Sequence, residues 1–290
     1  MGIPCGPLYF VAVACVANVI LDVVFVAGFH LGASGTALAT VISQGLSMFL
    51  GIAYLKRHAF LFDFKPASFR IARPMAKELA RVGIPISFQE LMVRISFLYL
   101  TAVMNGCGVY AAAVVGIGAK YDVFSMLSAT SVANALAALT AQNTGAGKPA
   151  RAWRSLWYGL AFALGAAFVF WTWAQWNPES MIRLFSDDPG VIAAGVPYFR
   201  ACSYDYLMVA FVFCLNGYLN GRSKTLWTMV SCTCGALFLR IPLVWYVGNH
   251  FAQDLGMLGT VAPVVSGMMA AYTLLYVLWE GRKQRVFRGN

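Results

Sequence analysis

The sequence predicts an all-α fold, a polytopic transmembrane helical bundle of about eight spans. Composition is the first ground. Of 290 residues, 60% are hydrophobic and 11% charged, with a mean hydropathy of +0.70, whereas a soluble domain carries about 25% charge. Length is the second. Apolar runs recur at about the twenty residues a helix needs to cross roughly 30 Å of hydrocarbon, at residues 8–29, 35–55, 83–104, 110–140, 155–176, 191–216, 227–248 and 257–279. The third is where the cations fall. Of 21 Lys and Arg, seven lie in 56–82, three in 141–154, two in 217–226 and four after 279, all in alternate connections. Only Arg183 falls in the opposite set, which instead gathers Glu179, Asp187, Asp188 and Asp254. This is the asymmetry of the positive-inside rule. It predicts cytoplasmic N- and C-termini, and it assigns the net charge of +10 to topology, with no nucleic-acid partner.

Each span has its own signature. The first, 8–29, holds two strongly polar side chains, Asn18 and Asp22. Four residues apart, they share a helix face. An acid at bilayer depth costs about 2.5–3.5 kcal/mol on insertion scales, so it marks a functional site by default; the structural alternative is a hydrogen bond between helices. The second span follows a glycine-rich turn and carries Thr40. The basic connection 56–82 contains Pro66, Pro74 and an amphipathic stretch through Lys77-Glu78-Leu79, suited to a membrane surface. The third span opens at Gly83-Ile84-Pro85 and carries Gln89, Glu90 and Arg94; at i,i+4, Glu90 and Arg94 can pair. The fourth is long enough to pass beyond the bilayer, with Lys120 and Asp122 inside it. The fifth is bracketed by Trp153, Trp157, Trp171, Trp173 and Trp176, the pattern of an interfacial belt. The sixth carries Asp205, for which Arg200 is a candidate structural partner. The seventh carries Arg240. The eighth ends at the basic tail Arg282-Lys283-Gln284-Arg285, expected on anionic lipid. No leader peptide is expected at the N-terminus. Seven cysteines and three scattered histidines form no metal-ligand or disulfide pattern, and no hydrolase or metalloprotease motif is present. No enzyme activity and no cofactor are expected.

The chain repeats itself. Leu31-Gly32-Ala33-Ser34-Gly35-Thr36 recurs as Leu255-Gly256-Met257-Leu258-Gly259-Thr260. Each copy sits in a short turn between two spans and is followed by a basic cluster. The first two spans then read as the end of a repeat unit whose second copy has six. The expectation is that four helices of the first unit are missing, supplied by an N-terminal segment or by a second chain. Internal repeats in polytopic proteins point to transporters.

With these residues in view, the chain resembles the multidrug and toxic compound extrusion (MATE) transporters. Asn18 to Asp22 with Gly35 to Thr40 is similar to the family's fifth and sixth helices, and Gly83-Ile84-Pro85 to the entrance of the seventh. Gln142-Asn143-Thr144-Gly145-Ala146 with Arg151-Ala152 resembles the loop after the eighth, and Arg240-Ile241-Pro242-Leu243 the eleventh. The resemblance implies residues 1–55 as a partial N-lobe of two helices, 56–82 as the inter-lobe linker, 83–280 as a six-helix C-lobe and 281–290 as a basic cytoplasmic tail. It also implies efflux of organic, mostly cationic, compounds in exchange for Na⁺ or H⁺ across a bacterial inner membrane. Three family positions for the coupling cation match Asn18, Asp22 and Thr40, whose oxygens suit a hard cation; the fourth, an acid on the first helix, has no counterpart here. The structural alternative for Thr40 is a hydroxyl bonded to its own helix. Glu90, Arg94 and Asp205 are candidates for substrate or proton binding. Two other readings stay open: a related lipid-linked oligosaccharide flippase, kept alive by Arg94, Lys120 and Arg240, and a non-functional fragment that only inserts.

Overall fold

The structure, a computed structural model, describes residues 5–57, 73–251 and 254–283. Most of the basic connection and the end of the basic tail lie outside these residues. Among the described residues, eight helical segments are long and apolar enough to cross a membrane, so the chain is a multi-pass membrane protein of all-α class. It divides into two compact units, Met1–Arg73 and Pro74–Asn290.

The first unit is a helical hairpin. Helix α1 (Cys5–Val23) runs on through a π-helical turn, Val24–Gly28, and reverses into α2 (Gly32–Arg57). The reversal uses left-handed backbone at His30 (φ 53°) and Gly32 (φ 55°). Glycine is also required at Gly35, where an added Cβ would stand 3.0 Å from the Cβ of Phe25 and 3.1 Å from that of Leu31. Gly35, Ala39 and Ser43 form a buried stripe at i, i+4, i+8 of α2, the small-residue seam by which membrane helices approach closely. Phe10 closes the open end edge-to-face on Tyr54, with ring centroids 5.3 Å apart.

The second unit is built around α7 (Pro189–Gly221), which packs on α4 (Val109–Gly145), α5 (Pro149–Trp176) and α10 (Leu255–Lys283). Helix α3 spans Arg73–Gly106, and the short α6 spans Pro178–Arg183. Helix α3 starts well ahead of the apolar run at 83. Pro74 stands where a first helical turn needs no N–H, and the good helix formers Ala76 to Arg81 carry the helix onward. Helix α4 is 37 residues long, about 55 Å at 1.5 Å per residue, so it does pass beyond the hydrocarbon. Asn143 ends it: its amide donates to the Leu139 carbonyl at 2.8 Å and its carbonyl accepts from the Lys148 N–H at 2.8 Å. Asp188 caps α7 by accepting from the Gly190 N–H at 2.7 Å.

Two contacts hold α4 to its neighbours. Tyr121 donates to the Met181 carbonyl at 2.9 Å and meets Trp173, Phe185 and Phe199 edge-on at 5.6–5.9 Å. Nearer the other end, Gly217 and Gly221 lie directly on the carbonyls of Ala133 and Ala137, with no room for a side chain. This is a G-x-x-x-G contact. Gly217→Val should therefore force α7 off α4 and lower stability by about 1–3 kcal/mol, read as a fall in the thermal unfolding midpoint of the detergent-solubilised protein. Gly165→Val, at a site with open space around it, should change it little.

The seventh span is not a uniform helix. Helices α8 (Thr225–Thr233) and α9 (Ile241–His250) are joined by a π-helical segment, Cys234–Arg240. Pro242 lacks an N–H to donate back one turn, and widening the preceding turn accommodates that loss. Arg240 therefore leaves the helix at a bulge.

Candidate functional site

In the first unit, Asn18 and Asp22 are half-buried one turn apart on α1. Asn18 Nδ2 and Asp22 Oδ1 are shielded atoms with no hydrogen-bond partner among the described residues. Thr40 is exposed and donates to the Thr36 carbonyl at 2.9 Å, the local bond a helical threonine makes when nothing else claims it. Asn18 and Asp22 thus offer unclaimed polar atoms, while the Thr40 proton is engaged in its own helix.

The second unit gathers charge where sequence reasoning had left it dispersed. Asp205 on α7 is 3% exposed and Arg240 on the bulge 6% exposed. Asp122 on α4 is half-buried. The three lie within electrostatic reach of one another. Ser266 on α10 stands beside Asp205. Arg240 is held on α3: Nη1 donates to Ser96 Oγ at 3.3 Å, and the guanidinium lies 4.3 Å from the centroid of Phe97. Ser96 in turn donates to the Val93 carbonyl at 2.9 Å. Asp205 Oδ1 and Arg240 Nε, although buried, have no partner among the described residues. Five elements thus converge on one buried cluster: α3, α4, α7, the bulge and α10. Ser96→Ala should loosen Arg240 and lower the unfolding free energy by about 1 kcal/mol, measurable as a reduced thermal midpoint.

The neighbours expected for two charges differ from those observed. Asp205 does not pair with Arg200. Five residues of α-helix turn through about 500°, which sends the two side chains to different faces, and Arg200 is exposed. The Arg200 carbonyl is what the fold uses, accepting from Gln175 Nε2 at 2.8 Å and Ser203 Oγ at 2.9 Å. Glu90 and Arg94 are both exposed on α3, and no ion pair joins them among the described residues. Lys120 Nζ lies 4.4 Å from the Phe185 ring centroid.

Sequence reasoning missed that Asp122 and Arg240 converge on Asp205. The signal was present: three charges deep in three different spans, none with an opposite charge at i±3 or i±4. Buried charges must be paired or occupied, so such charges had to find one another across helices.

The MatE family model matches residues 85–246. A probable multidrug resistance protein, YpnP of Bacillus subtilis, is 27% identical over 244 residues, which is 81% of this chain and 53% of that protein. An FAD transporter of Shewanella oneidensis is 26% identical over 286 residues, 95% of this chain and 62% of that one. The multidrug export protein MepA of Staphylococcus aureus is 23% identical, covering 90% of this chain and 57% of MepA. The chain therefore spans somewhat over half the length of these relatives. Among solved structures, a MOP superfamily transporter from Pyrococcus furiosus superposes with a TM-score of 0.84 at 17% identity, over 96% of this chain and 62% of that one. An aspartate-to-asparagine mutant of the Vibrio cholerae MATE transporter VcmN superposes at 0.81 and 17% identity, over 98% and 64%. These likenesses establish the fold.

Proposed function

Because the chain belongs to the MatE family of transporters, we propose that it serves secondary active efflux of organic, mostly cationic, compounds by antiport with Na⁺ or H⁺. One observation carries the reading. The buried cluster holds two carboxylates, Asp122 and Asp205, against one guanidinium, Arg240, and so, with both acids ionised, is one positive charge short of neutral. An uncompensated charge at bilayer depth is costly. A coupling cation or a proton supplies the missing charge in one state, and its release in another couples the gradient to a change in helix packing. Asn18 and Asp22 offer a second carboxylate site in the first unit. On the charge asymmetry of the connections, the end carrying Arg222, Lys224 and the last turn of α10 faces the cytoplasm, and a bacterial inner membrane is the setting.

Cells expressing the 290-residue chain should lose ethidium faster than controls in the presence of a Na⁺ or H⁺ gradient. Asp22→Asn should reduce that gradient dependence. Efflux equal to that of empty-vector cells would favour a remnant that merely inserts.

A second reading has one observation in its favour. The Shewanella relative is named an FAD transporter and aligns over 95% of this chain, and Arg94 stands exposed on α3. An anionic substrate, a lipid-linked oligosaccharide among them, would suit an exposed guanidinium. Export of an anionic dye in preference to ethidium, abolished by Arg94→Gln, would move the assignment there.

A further inference from the structure

We propose that the seam between α7, α8 and α10 is a proton path from the basic end of the fold to Asp205. The inference rests on the antiport reading and deepens it, naming H⁺ as the ion delivered to the cluster.

Three residues of α10, Ser266, Thr273 and Glu280, recur every seventh position and so share one helix face. They are 3%, 1% and 4% exposed. Each engages a neighbouring element. Glu280 lies 3.6 Å from both Arg222 and Lys224 at the basic end. Thr273 hydrogen-bonds Ser231 of α8 at 3.1 Å. Ser266 stands beside Asp205. Helices α7 and α8 add polar groups toward the basic end: Thr228 donates to Asn220 Oδ1 at 2.8 Å, and Asn216 donates to Cys232 Sγ at 3.3 Å, beside the Ser231–Thr273 rung. The file runs from a carboxylate at the basic end to a carboxylate within the bilayer, about 21 Å along α10 at 1.5 Å per residue.

The chemistry selects a proton. Successive rungs on α10 are about 10 Å apart, too far for direct transfer, so water must bridge them. Asn216 Oδ1 and Asp205 Oδ1 are buried acceptors with no partner among the described residues, which is where bridging water finds its bonds. A hydrated metal ion needs a wider way than this seam provides, with Gly235 closed against Met269. A proton needs only a file of hydroxyls, amides and water. Helix adhesion alone does not call for such a file, since a polar contact between membrane helices is worth only about 0.6 kcal/mol. In the step itself, a proton leaves water at Glu280, relays along the file, and forms an O–H bond on the Asp205 carboxylate. Asp205 is faced there by Asp122 from α4, by Arg240 from the bulge with Ser96 and Phe97 of α3 behind it, and by Ser266 from α10. Tyr198, Cys202 and Tyr206 of its own helix complete the surroundings.

The test follows the Asp205 carboxyl directly. The full chain is reconstituted in vesicles of known orientation and the pH is dropped rapidly on one side. The carboxylic C=O infrared band is recorded and assigned by its loss in Asp205→Asn. The expected result is fast protonation from the basic side and slow protonation from the other. Thr273→Val should slow the basic-side rate by about tenfold, the factor one lost hydrogen-bonded rung implies, with an unchanged end point. Thr273→Ser should restore the rate, and Ser231→Ala, a small change at the same rung, should also slow it. Equal rates in Thr273→Val and the unaltered protein, or an Asp205 carboxyl that never titrates, would overturn the path. Absence of efflux with these kinetics intact would instead count against the transport reading and leave the path standing.

Discussion

Arg240→Met is expected to destabilise the second unit more than any other single substitution at the site, by about 3–5 kcal/mol, the usual cost of breaking a buried charge assembly from one side. Among the described residues Arg240 is the one cation of the cluster, and Asp122 and Asp205 both lie in its field. Without it, two carboxylates face each other in a low-dielectric interior, where charges that would interact by about 1 kcal/mol in water interact several-fold more strongly. Methionine keeps much of the packing volume and the contact with Phe97, so little of the loss is cavity formation. The double substitution Arg240→Met with Asp205→Asn should recover at least half of the loss, because it removes one of the unbalanced charges. Thermal unfolding in detergent reads both. If the double variant is no more stable than the single one, the guanidinium serves packing and not charge balance.

Asp205→Asn should have the opposite profile, with small effect on stability and large effect on transport. Removing Asp205's charge leaves Asp122 and Arg240 as a balanced pair, and asparagine keeps the shape of the side chain beside Ser266. The cluster then no longer lacks a positive charge and has no use for a coupling ion. A one-for-one exchange of monovalent cations converts a tenfold ion gradient into at most a tenfold substrate gradient, about 1.4 kcal/mol. Vesicles with Asp205→Asn should hold no substrate gradient at all, whichever ion gradient is imposed.

The membrane class, the eight spans and their approximate limits were legible from the sequence, because lipid tolerates only helices with every backbone group satisfied and a span must be about twenty apolar residues long. What was not legible depends on which faces of different helices meet. The π-helical bulge before Pro242 is one case: the proline announces a lost hydrogen bond, but not whether the helix kinks or widens to absorb it. Gly217 and Gly221 are another; the spacing is visible, but only the packed structure shows that Ala133 and Ala137 fill it. The site itself was half legible. Asp205 stands out as an intramembrane acid, yet its partners come from α4, α10 and the bulge, at sequence separations where helical periodicity says nothing. Pairing it with Arg200 looked along one helix for a neighbour that lay across several.

The central claim is that the Asp122, Asp205 and Arg240 cluster is filled by the coupling ion. The most direct measurement is the steady-state ethidium gradient held by reconstituted vesicles as the imposed Na⁺ or H⁺ gradient is varied, in the unaltered chain and in Asp205→Asn. The account predicts a gradient that rises with the imposed ion gradient in the former and a flat line in the latter, at equal protein content and equal thermal stability. A line for Asp205→Asn as steep as that of the unaltered chain would contradict it.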